Sequence, residues 1–232
     1  MILCIPGPWR DRQEFLHALI AAHAGRYIFA GAILMDTESK DHVELEWCAR
    51  DGRMREAFRC TCRDESTLSA IESHGSVLYL QVPLDVPEQR ERILKYTDVL
   101  RKAGGIAVKL ENCGLAHSWQ RWFDGLSSPF QNEHYRAVVV QCFDEDGAYS
   151  CGMHHFGLPD ATIDVGGDEG LATLQAFNVY VLMESPNLQP GHTFSKDASS
   201  PRCRLHRTPD DRFEPDDLFH NPHGLWRLQE VI

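Results

Sequence analysis

The sequence predicts an α/β chain of mixed α+β type, and three patterns carry that expectation. Strand–helix–strand units span residues 1–35 and 77–108, and an Asp-Gly turn joins two apolar runs within residues 137–153. Prolines at positions 186, 190, 201, 209, 215 and 222 restrict the tail to short strands. Together these imply a single domain over residues 1–232, with a mixed sheet, β-α-β units and a C-terminal antiparallel hairpin region. The alternative is two subdomains, the second built on the hairpin from Val138 to Met153.

Met1 to Ile5 reads as a short buried strand stopped by Pro6-Gly7-Pro8. Asp11 and Glu14 then have capping-box spacing, and Phe15, Leu16, Leu19, Ile20 and Ala22 share one face of the helix that follows. Gly25 is placed to end that helix in a left-handed conformation. Tyr27 to Met35 reads as one strand, and Val43 to Trp47 as an alternating strand that exposes Glu44 and Glu46 on one face. The charged run 50–65 carries a short helix and marks an excursion or weak boundary; a second helix around Leu68 and Ile71 ends near Gly75.

Val77 to Val82 is the next strand, and Asp85, Pro87 and Glu88 open a helix whose apolar face is Ile93, Tyr96, Thr97 and Leu100. Ile106 to Val108 returns as a strand, which implies parallel pairing through a right-handed crossover. Trp119, Trp122, Phe123 and Leu126 stand at helical spacing. Ala137 to Phe143 reads as a strand, Asp144-Glu145-Asp146-Gly147 as its turn, and Tyr149 to Met153 as the hairpin partner. Beyond Gly166-Gly167, Leu171 to Met183 reads as helix. Short strands at Thr193-Phe194, Cys203 to His206 and Trp226 to Val231 fold back onto the same sheet.

With 43% hydrophobic residues in 232, the chain has material for a substantial core. A balance of 34 acidic to 23 basic residues, net charge −11, argues against a binder that tracks nucleic-acid phosphates and suits a basic partner or plain solubility. No apolar run reaches the ~18 residues needed to span a bilayer. The N-terminal apolar run lacks a basic flank and ends at Ile5-Pro6, so the expected compartment is the cytoplasm, with no membrane partner. Eight cysteines scattered singly through apolar segments read as reduced thiols, and Cys60-Thr61-Cys62 lacks zinc-knuckle spacing.

Two runs stand out: Cys151-Gly152-Met153-His154-His155-Phe156-Gly157-Leu158-Pro159-Asp160 and His220-Asn221-Pro222-His223-Gly224-Leu225-Trp226. Their meeting in space would gather four histidines and a cysteine, donor types suited to a transition metal. Their spacing argues against a metal site. His154 and His155, at a strand end, are expected to point to opposite faces, and the second run straddles a proline. The expectation is therefore no metal and no cofactor, with histidines bonded to their own loops. No G-x-G-x-x-G, P-loop or nucleophile elbow occurs. The enzymatic alternative, a metal-assisted hydrolase, would draw its catalytic groups from His154, His155, His192, Asp217, His220 and His223. Asp216-Asp217 reads more simply as a cap for Leu218-Phe219, and Cys151 as an inert buried thiol. Glu44, Glu46, Asp144, Glu145 and Asp146 are the candidates for contacting a basic partner.

Several stretches resemble an uncharacterised family of proteobacterial proteins of this length: Met1 to Trp9, Gly105 to Lys109, the helix from Trp119 to Phe123, Cys151 to Asp160, Gly191 to Ser195, and Asp217 to Trp226. The resemblance covers nearly the whole chain. Some members of that family are linked to type VI secretion and toxin-effector settings, which implies an immunity role: binding a cognate antibacterial toxin, with a basic nuclease suiting the charge. A non-catalytic adaptor is a further alternative.

Overall fold

The structure, a computed structural model, describes residues 1–231 and shows a mixed α+β architecture. The chain divides into two compact units, Met1–Ser127 and Ser128–Ile232. The charged run 50–65 lies inside the first unit, away from that division.

In the first unit the described elements are β1 (Ile2–Gly7), α1 (Arg12–His23), β2 (Tyr27–Ala30), β3 (Ile33–Asp36), β4 (His42–Ala49), α2 (Met54–Arg59) and α3 (Glu65–Glu72). They continue with β5 (Ser76–Gln81), α4 (Val86–Lys102), β6 (Ala107–Leu110), β7 (Ala116–Ser118) and α5 (Trp119–Ser127). The caps expected from sequence are present. The Asp11 carboxylate accepts from the Glu14 amide at 2.8 Å, and Asp85 accepts from that of Glu88 at 3.1 Å. α1 closes on Ala24 and Gly25, both at positive φ. Only Phe15 and Leu19 of its predicted face are buried, and Ile20 is exposed.

The seven described strands form one sheet in the order β2-β3-β4-β5-β1-β6-β7, every pairing antiparallel. Two expectations are corrected by this order. The run from Tyr27 to Met35 is a hairpin, turned at Gly31-Ala32, and not one strand. β5 and β6 do not pair with each other, because β1 lies between them, antiparallel to both. The strand–helix–strand unit is thus split by β1, whose Leu3, Cys4 and Ile5 are completely buried. On one sheet face, α2 and α3 close over Cys4, Val77, Ala107 and Ala116 with Met54, Phe58, Leu68 and Ile71. Burying each such large side chain contributes about 1.5–3 kcal/mol.

The second unit contains α6 (Gln131–Val138), β8 (Val140–Asp144), β9 (Gly147–Cys151), a 3-10 turn (Met153–Phe156) and β10 (Asp160–Ile163). It continues with α7 (Gly167–Glu184), β11 (Thr193–Phe194), β12 (Cys203–Thr208) and β13 (Leu225–Glu230). The described strands form a second sheet ordered β11-β12-β13-β10-β9-β8, mixed because β10 and β13 run parallel. The C-terminal strands therefore join this sheet and not the first. Residues 137–138, expected as strand, end α6, with Tyr135 and Val138 buried at i, i+3 spacing. α7 packs Leu174, Phe177 and Val181 onto Ala148, Ala161, Ile163, Leu205, Trp226 and Leu228. All eight cysteines are free thiols, and no described helix is long and apolar enough to cross a membrane.

Candidate functional site

The two histidine-bearing runs do meet, inside the second unit, but the residues that join them are not histidines. β10 pairs with β13 in parallel, setting Asp160 opposite Leu225, and this register brings the loop before β13 against the loop before β10. The Asn221 amide donates to Asp160 Oδ2 at 2.8 Å and to the Leu158 carbonyl at 3.0 Å. The Cys151 thiol lies 3.7 Å from the Phe219 carbonyl.

Asp160 is the centre of the node and is fully shielded from solvent. Its Oδ1 accepts from the Met153 amide at 3.1 Å and from the Ser150 hydroxyl at 3.3 Å. Arg212 reaches its Oδ2 at 3.5 Å, spending its better bonds elsewhere. Those go bidentate to Asp210 at 2.9 and 3.0 Å and to the Ser150 carbonyl at 2.7 Å. Asp210 in turn accepts the Asn221 backbone amide at 2.9 Å. Burial pushes the Asp160 carboxyl up to about 6, against the opposing pull of Arg212, Asn221 and the Met153 amide. Gly152, at φ +123°, makes the turn out of β9 into the 3-10 segment, and a side chain there would collide with the Val138 carbonyl.

The same turn corrects the expected divergence of His154 and His155. On a strand their side chains would alternate; in the 3-10 turn the rings lie 4.4 Å apart, centroid to centroid, and both are buried. His155 Nδ1 is 2.9 Å from the Val138 carbonyl, so the proton sits on that nitrogen. Neither ring nitrogen of His154 has a hydrogen-bond partner among the described residues; its Nδ1 is 4.0 Å from Asp160 Oδ2. Burial lowers His154 to about 4 and His155 well below the ordinary histidine range, so both rings are neutral at physiological pH.

None of the other candidates hydrogen-bonds to the buried pair, although His223 is near enough to His154 to act on it electrostatically. His192 is exposed, its Nδ1 accepting from the Gln189 amide at 3.3 Å; His223 is exposed; His220 is half-buried with Nδ1 3.2 Å from the Phe213 carbonyl. Asp217 is exposed and caps the turn at Phe219, accepting its amide at 2.8 Å. Among the described residues no group of three or more His, Cys, Asp or Glu is placed to hold a metal ion. Around Asp160 the donors and acceptors are matched and fix the meeting of two loops, whereas both ring nitrogens of His154 and the Nε2 of His155 stay without a hydrogen-bond partner among the described residues. Sequence reading missed Asp160, Asp210, Arg212 and Asn221 as the working members of this node. The available signal was the position of Asp160 and Asn221 inside the two unusual runs.

The acidic candidates lie at the surface. Glu44 and Glu46 are exposed on β4, and no ion pair engages either among the described residues. The register sets Ile33 opposite Glu44 and Met35 opposite both Ile28 and His42, so Ile28, Ile33, Met35, Glu44 and Glu46 share one sheet face. Ile28 and Ile33 are 46% and 45% exposed, so this end of the face is open. Asp144, Glu145 and Asp146 form the exposed tip between β8 and β9. No protein-family model, curated protein or solved structure matches the chain.

Proposed function

We propose that the chain is a cytoplasmic binding protein of immunity type, which neutralises an antibacterial toxin of basic surface by direct contact. The observation that carries this reading is the open end of the first sheet, where two exposed glutamates outside any ion pair among the described residues stand beside two exposed isoleucines. Apolar area supplies affinity there, while Glu44 and Glu46 select for positive charge and raise the association rate. The net charge of −11 adds long-range attraction for a basic partner. The type VI secretion setting rests on the family resemblance. Enzymatic use of the histidines gains no support from their placement: two are buried and neutral, and no group of three or more His, Cys, Asp or Glu is placed to hold a metal ion among the described residues.

The test is affinity capture from the source cell, followed by challenge with the captured protein. The expected result is a stoichiometric basic partner whose toxicity the chain suppresses. Glu44→Lys with Glu46→Lys should weaken capture at least about tenfold at low salt while leaving the melting temperature unchanged. Recovery of no protein partner, with no protection in cells, sinks the reading.

A further inference from the structure

The second unit carries an edge that its own chain leaves unpaired. β8 is the last strand of its sheet and pairs only with β9, in the register Asp144–Gly147, Cys142–Tyr149 and Val140–Cys151. With just Glu145 and Asp146 in the turn, Asp144 and Gly147 must be a hydrogen-bonded pair, and hydrogen-bonded pairs alternate along an antiparallel ladder. The backbone groups of Asp144, Cys142 and Val140 therefore face β9, and those of Gln141 and Phe143 face outward. No partner for these outward groups occurs among the described residues. Phe143 is 57% exposed on the same strand, and the strand runs straight into the acidic tip Asp144-Glu145-Asp146.

We infer that β8 is a strand-addition edge for an extended, basic segment of a protein partner. Backbone groups of that segment pair with Gln141 and Phe143, an apolar side chain covers the Phe143 ring, and a lysine or arginine meets the acidic tip. The choice of a basic protein segment over a second copy follows from charge. Two copies at −11 each repel, whereas a basic strand is drawn to the carboxylates beside the edge. The inference rests on the binding reading above and assigns it a second surface with its own chemistry.

The probe is a capped peptide of sequence KVTVTVK, titrated into the full chain and followed by backbone amide shifts and hydrogen exchange. Expected are shifts and exchange protection at the Gln141 and Phe143 amides. Binding should weaken about tenfold with EVTVTVE, with the interrupted KVTPTVK, and with Gln141→Pro, which removes one outward donor and spares the β9 ladder. Glu145→Lys with Asp146→Lys, at the exposed tip, provides a second variant should the proline disturb folding. Shifts confined to other strands, no shift at all, or a concentration-dependent dimer abolished by Gln141→Pro each overturn the inference. Capture of the cognate partner at wild-type strength by both variants also overturns it and leaves the binding reading standing. Loss of capture only in the Glu44 and Glu46 variants has the same two consequences.

Discussion

Asp36 in the first unit and Asp160 in the second are both fully shielded from solvent, yet their surroundings treat the carboxylate charge in opposite ways. Asp36 takes a bidentate pair from Arg26 at 3.1 and 2.9 Å and a third bond from Lys95 at 2.8 Å, which hold its carboxyl well below the usual range. Asp160 receives its short bonds from neutral donors and stands 3.5 Å from a guanidinium already committed to Asp210, so burial prevails and raises it to about 6. Equal loss of solvent contact thus accompanies opposite shifts: Asp36 lies shallow beneath its cationic partners and Asp160 lies deep, so depth and the placement of full charges set the sign together. Asp36 closes an ion-pair network around the β2–β3 hairpin, reaching α4. Asp160 ties loops through hydrogen bonds from neutral donors to its carboxylate, a specific clasp with less ion pairing than at Asp36.

Removing each carboxylate probes the comparison most strongly. Asp160→Ala orphans buried donors of Asn221, Ser150 and Met153 at once, and a loss of about 3–5 kcal/mol in urea unfolding is expected. Asp36→Ala should cost less, about 1–3 kcal/mol, because the partly exposed Arg26 and Lys95 can turn to water. Equal losses would erase the distinction drawn between the sites.

pH separates them further. The folded pKa of Asp160 lies above its unfolded value, so the folded state binds more protons between about pH 4 and 6. Wild type should therefore gain stability relative to Asp160→Asn as pH falls through that window, by on the order of 1–3 kcal/mol. Asp36 has a lowered pKa, so its contribution is present above about pH 4 and is lost as pH falls further. The advantage of wild type over Asp36→Asn should shrink below that point. Urea titrations at stepped pH that show parallel slopes for the two pairs would contradict both assignments. The smallest effect is expected at the exposed histidines: His192→Ala and His223→Ala should each stay within about 0.5 kcal/mol of wild type.

The parts legible in the sequence were those governed by local chemistry. Asp11 and Asp85 announce their helices because capping needs only a carboxylate three residues ahead of an amide, and both caps are present. The β8–β9 hairpin follows from its Asp-Gly pair in the same way. Non-local order was hidden. Nothing near Leu3 or Ile5 says that β1 will enter between β5 and β6, since that depends on which sheet position buries an all-apolar strand. The end of α6 reads as strand because Val138-Val139-Val140 is β-branched, and only the packing of Tyr135 and Val138 overrides that preference.

The candidate site was half legible. The unusual composition of residues 151–160 and 220–226 pointed to their meeting. The histidines stand out as chemistry-bearing groups, whereas the donors and acceptors that match in space are Asp160, Asn221, Asp210 and Arg212. β10 is hard to see in the sequence because it has four residues and opens on an aspartate after a proline. Without β10 there is no register to bring Asp160 toward Asn221.

The most direct test of a binding role, with the histidine node as structural support, is native mass spectrometry of the chain purified from its source cell with metals and partners retained. The expected result is a stoichiometric complex with a basic protein, weakened by Glu44→Lys with Glu46→Lys and unaffected by His192→Ala or His223→Ala. A near-stoichiometric metal ion on a chain without any protein partner would contradict it and return the histidines to the centre of the function.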